Sequence, residues 1–547
     1  VTTYRSFPSE IRGEGQCAFQ LRISQEKTYT VGHFSDVLVA FNQKAVDVNV
    51  KHLKSGGILL VDSDEVGELS GESFMEIIKY YVPITTIAKD VASVKAKNMV
   101  SIGLIAGLIS QIPMKEQFKN DIRRRYAKYS EEIIDSNIKA FEAGYEYASS
   151  KLERHDNLNN ISMSKSGEKL IMSGNEAIAL GALVAGCRFY SGYPITPATE
   201  IMEWLARELP KVGGVMFQCE DEIASVTAAI GASYGGTKAM TATSGPGFSL
   251  MSEAIGLATM SEIPLVVVDV QRGGPSTGLP TKSEQSDLNM AIYGTHGEGP
   301  KIVLAPMDVQ DCFIQTINAF NYAEQYQVPV ILLSDAAVGQ RRECVDLINF
   351  DSLKIVNRLK HDRTKDAGLY VRYRNTKSGI SPIATPGDEG GAYVATGLEH
   401  TELCNPTSDP EIRKMMVEKR FRKLETATHE FISAKKYGPD DAKIGIISWG
   451  STTGAVLEAV DMAKDSGLQD FLADKEIVIV VEHNYTAQLL HTLVYRCNSI
   501  NKDIKFFEIL KYDGSILSAR EVYDRIDKII RQQSLRYTFS NDTTEHQ

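Results

Sequence analysis

The sequence contains no pair of cysteines in a C-x-x-C spacing. Its seven cysteines are spread over 547 residues, at positions 17, 187, 219, 312, 344, 404 and 497. Local zinc and iron-sulfur motifs are built from closely spaced cysteines, so neither centre is expected on this chain. We expect reduced, mostly buried thiols and no metal site. A redox centre would then have to lie on another chain.

Long apolar runs and a surplus of basic residues are also missing. No stretch approaches the roughly 20 apolar residues of a membrane span, and the first residues lack the charged-then-apolar order of a signal peptide. We therefore predict a cytoplasmic protein without a membrane segment. The net charge of −11 disfavours nucleic acid or an anionic membrane as the main partner. Two basic clusters, 123–125 and 420–423, are predicted to be solvated helix faces.

The length predicts about three domains, each with its own core. In the first segment, 1–160, the apolar runs 36–41 and 57–62 are typical of buried strands, and the residues between them, 43–54, predict a helix. Residues 114–152 have a helical pattern. Residues 153–165, rich in Asn, Ser and charge, are predicted to be a linker.

The second segment, 166–350, alternates predicted helices and strands. This alternation predicts a largely parallel sheet covered by helices on both faces. The strands are predicted at 239–243, 264–270 and 328–335, and the helices at 174–187 and 307–325. A charged, weakly periodic stretch, 351–397, is predicted to be a long connection. The third segment, 398–547, is predicted to be a smaller α/β unit, with strands at 444–449 and 476–481 around a helix at 453–466.

A proline-bracketed loop, Tyr193-Pro194-Ile195-Thr196-Pro197, is the first motif. Proline fixes its own backbone and keeps the preceding residue out of helical geometry, so the loop holds the Thr196 hydroxyl in one place. A plainer interpretation makes Thr196 the N-cap of a helix over 198–209, with Pro197 at the first helical position. The two interpretations are compatible.

The second motif is the acidic run Glu220-Asp221-Glu222, which opens an alanine- and glycine-rich helix over 223–234. Small residues permit close packing against a flat partner, and burial among them shifts a carboxyl group towards its neutral form, which donates a hydrogen bond. An acid in the first turn is also ordinary helix chemistry. The ordinary interpretation is favoured for Glu220 and Asp221, and both remain open for Glu222.

The third motif, residues 243–247 (Thr-Ser-Gly-Pro-Gly), leaves a predicted strand and enters a predicted helix at 248–259. Gly245 and Gly247 allow close backbone approach, and a helix N-terminus offers N–H groups to a polar ligand. By itself this motif is weak evidence.

The fourth motif, 271–282, follows the carboxyl end of the predicted strand 264–270, where ligands of open α/β sheets bind. Arg272 could clamp a carboxylate through two parallel hydrogen bonds, and Lys282 could meet a second anionic group as a point charge. A structural salt bridge is the alternative for either residue.

These four motifs, in this order, resemble the alpha subunit of 2-oxoacid:ferredoxin oxidoreductases over nearly the whole chain. Residues 8–13 and 36–46 resemble the family's gamma domain, fused ahead of the alpha part; family members begin that domain with a Gly-rich strand-turn-helix, and this sequence starts after it. Residues 280–288 and 397–423 are most similar to the 2-oxoglutarate branch. The resemblance implies an α/β fold of three domains: gamma-type, doubly wound thiamine-diphosphate pyrimidine-binding, and transketolase C-terminal-like. Residues 467–472 are shorter than the family's usual element, which leaves roles for Asn484 and Gln488 open.

The resemblance also implies a division of labour between two chains. This chain would supply the pyrimidine half of the thiamine diphosphate site, and a beta subunit would hold the diphosphate, Mg²⁺ and a [4Fe-4S] cluster. The implied reaction is oxidative decarboxylation of a 2-oxoacid, with electrons passed to ferredoxin and the acyl group to coenzyme A. A heterotetramer is expected.

Site residues carry over from the family by position. Glu222 would contact N1′ of the aminopyrimidine, where a carboxyl group favours the tautomer that activates the cofactor. Arg272 would bind the C1 carboxylate, and Thr196 would face the reacting carbon or that carboxylate. The cofactor pocket would also include Pro194, Gly245 and Gly247, and the substrate pocket Tyr193. As our own extension, Lys282 would bind the distal carboxylate of 2-oxoglutarate.

Other functions remain to be separated from this one. Pyruvate and branched-chain 2-oxoacids are alternative substrates, and a non-catalytic scaffold or regulatory subunit is an alternative of another class. A self-sufficient transketolase-like enzyme is disfavoured, because the sequence has no Gly-Asp-Gly motif to hold magnesium diphosphate.

Overall fold

The computed structural model describes residues 1–6, 17–109, 115–153, 167–362, 369–431, 435–438, 443–465, 475–496 and 505–541. The chain forms two compact units: a large one of residues 1–22, 28–31 and 168–547, and a small one of residues 23–27 and 32–167. The family-like stretches 8–13 and 467–472, and all but the first residue of the predicted linker 153–165, lie outside the described residues. Among the described residues, no helix is long and apolar enough to cross a membrane.

The chain begins with two antiparallel strands, β1 (Thr2–Ser6) and β2 (Ala18–Arg22), which belong to the large unit. The small unit follows, with a parallel sheet of β3 (Ser35–Ala40), β4 (Leu53–Asp62) and β5 (Ile78–Val82). Its helices are α1 (Gln43–Asn49), α2 (Ile84–Val91), α3 (Lys97–Leu108), α4 (Lys115–Arg125) and α5 (Glu131–Lys151).

The predicted strands of the small unit are confirmed, and the predicted helix 43–54 is too long. The helix α1 ends at Asn49, because Leu53 already pairs with Ser35 in the sheet. The helices α3 and α5 pack closely through glycines. A methyl group at Gly103 would lie 2.8 Å from the backbone nitrogen of Tyr145, and one at Gly144 would meet the backbone of Val100.

The large unit is built on a six-stranded parallel sheet in the order β11-β12-β10-β9-β7-β8. The strands of this unit are β6 (Lys169–Ser173), β7 (Phe189–Gly192), β8 (Val215–Gln218), β9 (Ala239–Thr243), β10 (Leu265–Gln271), β11 (Ile302–Leu304), β12 (Pro329–Asp335) and β13 (Arg342–Asp346). Its helices are α6 (Gly174–Val184), α7 (Thr199–Glu208), α8 (Glu222–Tyr234), α9 (Gly245–Leu250), α10 (Ser252–Met260), α11 (Leu288–Tyr293), α12 (Val309–Tyr326) and α13 (Ala336–Gln340).

Both faces of this sheet are buried. Along β10, Val266, Val268 and Val270 pack into one hydrophobic cluster, whereas Leu265 and Val267 pack into the cluster on the other face. Successive side chains of a strand point to opposite faces, so a strand buried on both sides is apolar throughout. The predicted doubly wound parallel sheet is confirmed. A second, antiparallel sheet in the order β2-β1-β13-β6 lies in the same unit.

Residues 353–409 contain no helix or strand in their described part, and α14 (Pro410–Thr428) follows. The prediction of a solvated face at 420–423 is wrong. Arg420 is buried and pairs with Glu399, and Lys423 is buried and pairs with Glu262 at 2.5 Å. Both cations are buried because acceptors distant in sequence meet them. Lys419 is also paired with Glu262, at 2.6 Å.

The last part of the large unit is a three-stranded parallel sheet in the order β14-β15-β16. This agrees with the predicted small α/β unit. Its elements are β14 (Lys443–Ser448), α15 (Thr452–Asp465), β15 (Lys475–Glu482), α16 (Gln488–Arg496), β16 (Lys505–Leu510) and α17 (Ala519–Asn541).

Candidate active site

The proline-bracketed loop follows directly after β7, at the carboxyl end of the sheet. Tyr193 is exposed, and Thr196 is half-buried. The carbonyl oxygen of Thr196 accepts a hydrogen bond of 2.6 Å from Nη1 of Arg272, so the first and fourth motifs meet. The prediction of Thr196 as an N-cap is wrong, because α7 begins at Thr199 and its N-cap is Ala198.

Glu222 occupies the first position of α8. Asp221 is the N-cap, and its side chain accepts a hydrogen bond of 2.7 Å from the backbone N–H of Ala224, which confirms its ordinary helix role. Glu220 is exposed, whereas Glu222 is only 6% exposed. Three neighbouring acids thus differ in solvent exposure, and Glu222 alone is buried, where it lies against Gly247.

The glycines of the third motif lie between two carboxyl groups. A methyl group at Gly247 would lie 2.6 Å from Cγ of Glu222 and would also meet its Oε1 and the hydroxyl of Thr243. A methyl group at Gly245 would lie 2.7 Å from Oδ2 of Asp287. The groups close to Gly245 and Gly247 in the structure are Asp287 and Glu222, and the approach of a ligand to this loop stays a prediction. The predicted helix 248–259 is two shorter helices, α9 and α10.

Arg272 directly follows β10 and is 8% exposed. Its Nε has no hydrogen-bond partner among the described residues. Burial lowers the pKa of Arg272, while the charges of Asp287 and Glu222 act in the opposite direction. Because the ordinary pKa of arginine lies far above neutral pH, the guanidinium is a fixed positive charge next to Thr196 and Glu222.

Sequence reasoning missed an acid pair next to Arg272. Asp269 lies within β10 and is fully buried, and its carboxyl group is close enough to that of Asp287 for the two to interact. Burial, reinforced by Asp287, raises the pKa of Asp269 well above its usual value. Burial also raises the pKa of Asp287, to about 6. The available signal was an aspartate inside a buried run of valines.

Lys282 is half-buried beside the last domain. Its carbonyl oxygen accepts a hydrogen bond of 3.0 Å from the N–H of Gly273, which places it next to Arg272 along the loop. A methyl group at Gly514 would lie 3.0 Å from Cβ of Lys282. Lys282 forms no salt bridge with any residue that the structure describes.

Gln285 joins this loop to the last sheet of the large unit. Its side chain donates a hydrogen bond of 2.8 Å to the carbonyl of Trp449 and accepts one of 3.2 Å from the N–H of His483. Asn484 donates to the Gln285 carbonyl at 3.2 Å, and Gln488 to that of Ser286 at 2.8 Å. Asn484 and Gln488 thus hold the segment that carries Asp287.

The pyrimidine half of a thiamine diphosphate site fits these residues. Glu222 presents a buried carboxyl group beside the glycine loop, and the buried hydroxyl of Ser244 has no partner among the described residues. A hydrogen-bonding heterocycle needs such a set of fixed polar groups among small residues. The described residues contain no group of three or more His, Cys, Asp or Glu that could hold a metal ion.

Comparisons with known families and relatives identify the family of the chain. Residues 180–419 match the family model for pyruvate flavodoxin/ferredoxin oxidoreductase, thiamine diphosphate-binding, and residues 1–147 match that for pyruvate ferredoxin/flavodoxin oxidoreductase. The chain is 45% identical over 303 residues to the 2-oxoglutarate synthase subunit KorA of Methanothermobacter marburgensis, covering 55% of this chain and 80% of that protein. It is 35% identical over 503 residues to the 2-oxoglutarate oxidoreductase subunit KorA of Mycobacterium tuberculosis, covering 85% and 76%.

A solved structure is similar over almost the whole chain. The 2-oxoglutarate:ferredoxin oxidoreductase of Magnetococcus marinus, with 2-oxoglutarate, coenzyme A and succinyl-CoA bound, matches with a TM-score of 0.88 and 37% identity. The match covers 97% of this chain and 94% of that one. A thiamine diphosphate-binding domain is therefore present. The chain belongs to the alpha subunits of the 2-oxoacid:ferredoxin oxidoreductases, with a gamma-type domain fused at its start.

Proposed function

We propose that this chain is the alpha subunit of a 2-oxoglutarate:ferredoxin oxidoreductase. The complex would convert 2-oxoglutarate and coenzyme A into succinyl-CoA and CO₂ and pass the electrons to ferredoxin. The observation that carries the proposal is the buried carboxyl group of Glu222 against Gly247, with Arg272 within its electrostatic reach. The likeness to 2-oxoglutarate relatives supports the choice of substrate.

Glu222 would hold the cofactor in its active tautomer. Its buried carboxyl group would share a hydrogen bond with N1′ of the aminopyrimidine, and Gly247 leaves room for that carboxyl group where any side chain would displace it. Tyr193, Pro194 and Gly245 would contribute to the same pocket. Thiamine diphosphate, when bound, supplies the electron sink for decarboxylation.

Arg272 and Lys282 would bind the two carboxylates of 2-oxoglutarate. Arg272 is already oriented by its hydrogen bond to the Thr196 carbonyl, so it can hold the C1 carboxylate beside the Thr196 hydroxyl. Lys282 lies on the same loop, and its stem rests near Gly514. A point charge there would suit a second, more distant carboxylate.

The rest of the catalytic machinery is proposed to lie on a beta subunit. That subunit would hold the diphosphate, Mg²⁺ and a [4Fe-4S] cluster, and the assembly would be a heterotetramer that reduces ferredoxin. We assign residues 1–160 to the gamma-type domain, 166–350 to the pyrimidine-binding domain, 351–397 to a connection and 398–547 to a transketolase C-terminal-like domain. The first two strands of the segment 1–160 belong to the large unit of the structure, where β1 pairs with β2 and with β13.

The test is a substrate panel on the complex reconstituted with its beta subunit, with reduction of ferredoxin or a viologen dye as the readout. Glu222→Ala should abolish 2-oxoacid oxidation, because the cofactor loses its N1′ partner. Unchanged turnover would favour the scaffold alternative.

Lys282→Ala should lower kcat/KM for 2-oxoglutarate and spare pyruvate, because only the former has a distal carboxylate. A loss of the order of 10- to 100-fold is expected from a hydrogen bond to a charged group. The control is Lys211→Ala, which removes an exposed lysine about 70 residues before Lys282. Equal losses on both substrates would contradict the role of Lys282, and a preference of the wild type for pyruvate would overturn the proposed substrate.

A further inference from the structure

The acid pair beside Arg272, with Asp269 buried and Asp287 half-buried, has a geometry that two ionised carboxylates could not keep. Asp269 is fully buried, and neither of its carboxyl oxygens accepts a hydrogen bond from a donor among the described residues. Oδ2 of Asp287 is likewise without a donor. A buried carboxylate without a donor is strongly unfavourable, so the pair needs a proton between its members.

We propose that Asp269 and Asp287 share one proton and act as a positioning pair for the candidate active site. Asp269 would donate to Asp287, which would carry the single negative charge. This inference rests on the proposed function for its catalytic consequence only; the shared proton rests on the burial of Asp269 and on the missing donors of both carboxyl groups.

The surroundings place that charge next to the reacting groups. Asp287 lies against Gly245, and Glu222 lies against Gly247 of the same loop, so the acid pair and Glu222 both contact this loop. The backbone N–H of Asp287 donates to Oε1 of Gln271 at 3.0 Å, which fixes its position at the end of β10. The pair therefore sets the position of the loop against which Glu222 rests.

The proton count also decides how Arg272 meets a substrate. The charged groups facing Asp287 are Asp269 on β10, Glu284 on the preceding connection and Arg272. Arg272 is itself acted on by Glu222 from α8. With both aspartates ionised, four carboxylates (Asp269, Asp287, Glu284 and Glu222) would oppose one guanidinium, and an anionic 2-oxoacid would be repelled. One shared proton removes one of these charges.

The first test compares two replacements of Asp269 in the reconstituted complex. Asp269→Asn keeps a hydrogen-bond donor to Asp287, whereas Asp269→Leu, of similar size, removes it. We expect Asp269→Asn to retain most of the activity and Asp269→Leu to lose about 10- to 100-fold in kcat/KM for the 2-oxoacid, mainly through KM. Equal activity of the two variants would overturn the proposal.

The second test follows the proton and does not depend on turnover. At pH 8 exposed carboxyl groups are ionised, so the infrared spectrum of the full chain should contain the band of a protonated carboxylic acid that is lost in Asp269→Asn. An identical spectrum in the folded variant would refute the shared proton. This readout remains decisive if Asp269→Leu does not fold.

The pH profile provides the third measurement. Because the pKa of Asp287 is raised to about 6, kcat/KM should fall below that pH as Asp287 loses its charge. Asp287→Asn should remove this acid limb, and an unchanged limb would contradict the role of the pair. If the wild-type complex oxidises no 2-oxoacid while Glu222→Ala is equally inert, the proposed function fails, and the infrared band still decides the pair.

Discussion

The sharpest prediction concerns Gly247→Ala. A methyl group at this position would lie 2.6 Å from Cγ of Glu222, whereas non-bonded carbon atoms rest about 3.5–4.0 Å apart. The same methyl group would also meet the hydroxyl of Thr243 in β9, so the Glu222 side chain must move by about 1 Å. A misplacement of ~1 Å at a catalytic group lowers the rate by about 100-fold, which corresponds to about 2.7 kcal/mol of transition-state stabilisation.

Steady-state kinetics of the reconstituted complex would measure this loss, and circular dichroism and thermal unfolding would show whether the variant is folded. The matched control is Gly231→Ala, within the helix α8 that carries Glu222. A methyl group at Gly231 would have no neighbour within 4 Å, so this variant should keep its turnover and gain about 0.5–1 kcal/mol of helix stability. Wild-type kcat in a folded Gly247→Ala complex would refute the assignment of Glu222 as the carboxyl group that serves the cofactor.

Two further predictions concern stability. Glu262→Gln should destabilise the large unit by about 3–5 kcal/mol in denaturant unfolding, because Lys419 and Lys423 on α14 lose a buried counter-charge. The control is Glu425→Gln, at an exposed position of α14, which should change the free energy of unfolding by less than about 0.5 kcal/mol. Burial would raise the pKa of Glu262, but the neighbouring cations outweigh burial and hold that pKa well below 4.5. The stabilisation by this carboxylate is therefore complete above pH 4.5 and is lost as the pH falls. Glu262→Gln should make the free energy of unfolding less dependent on pH at the acid end. Gly103→Ala should separate α3 from α5 and cost about 1–3 kcal/mol, whereas Gly67→Ala, with open space around it, should not.

Much of the sheet architecture was predictable, because its signal is local. A strand buried on both faces, such as β10, is an uninterrupted apolar run that cannot be solvated. The boundaries that failed depend on distant partners. The helix α1 ends early because Leu53 pairs with Ser35, and Lys423 is buried because it pairs with Glu262, more than 150 residues before it.

The candidate site was predictable as a set of motifs and not as a geometry. Order along the chain indicated that the loops of Thr196 and Arg272 belong together, and their hydrogen bond agrees. The sequence did not indicate that Gly245 and Gly247 face two different carboxyl groups. Asp269 was overlooked because a single acid in a valine-rich strand is informative only once its partner, Asp287, is known.

The connection after β13 carries arginines that reach into the helices of the parallel sheet. Arg358 is buried and binds both carboxyl oxygens of Glu324 on α12, at 2.8 and 2.5 Å for Nε and Nη2, and its Nη1 binds the Ser233 carbonyl on α8 at 2.5 Å. Further along, Arg372 binds the carbonyl of Glu262 after α10 at 2.7 Å. Each anchor requires that its helix is already in place. Protection of this irregular stretch from a protease would therefore report when, during folding, the surrounding helices have assembled.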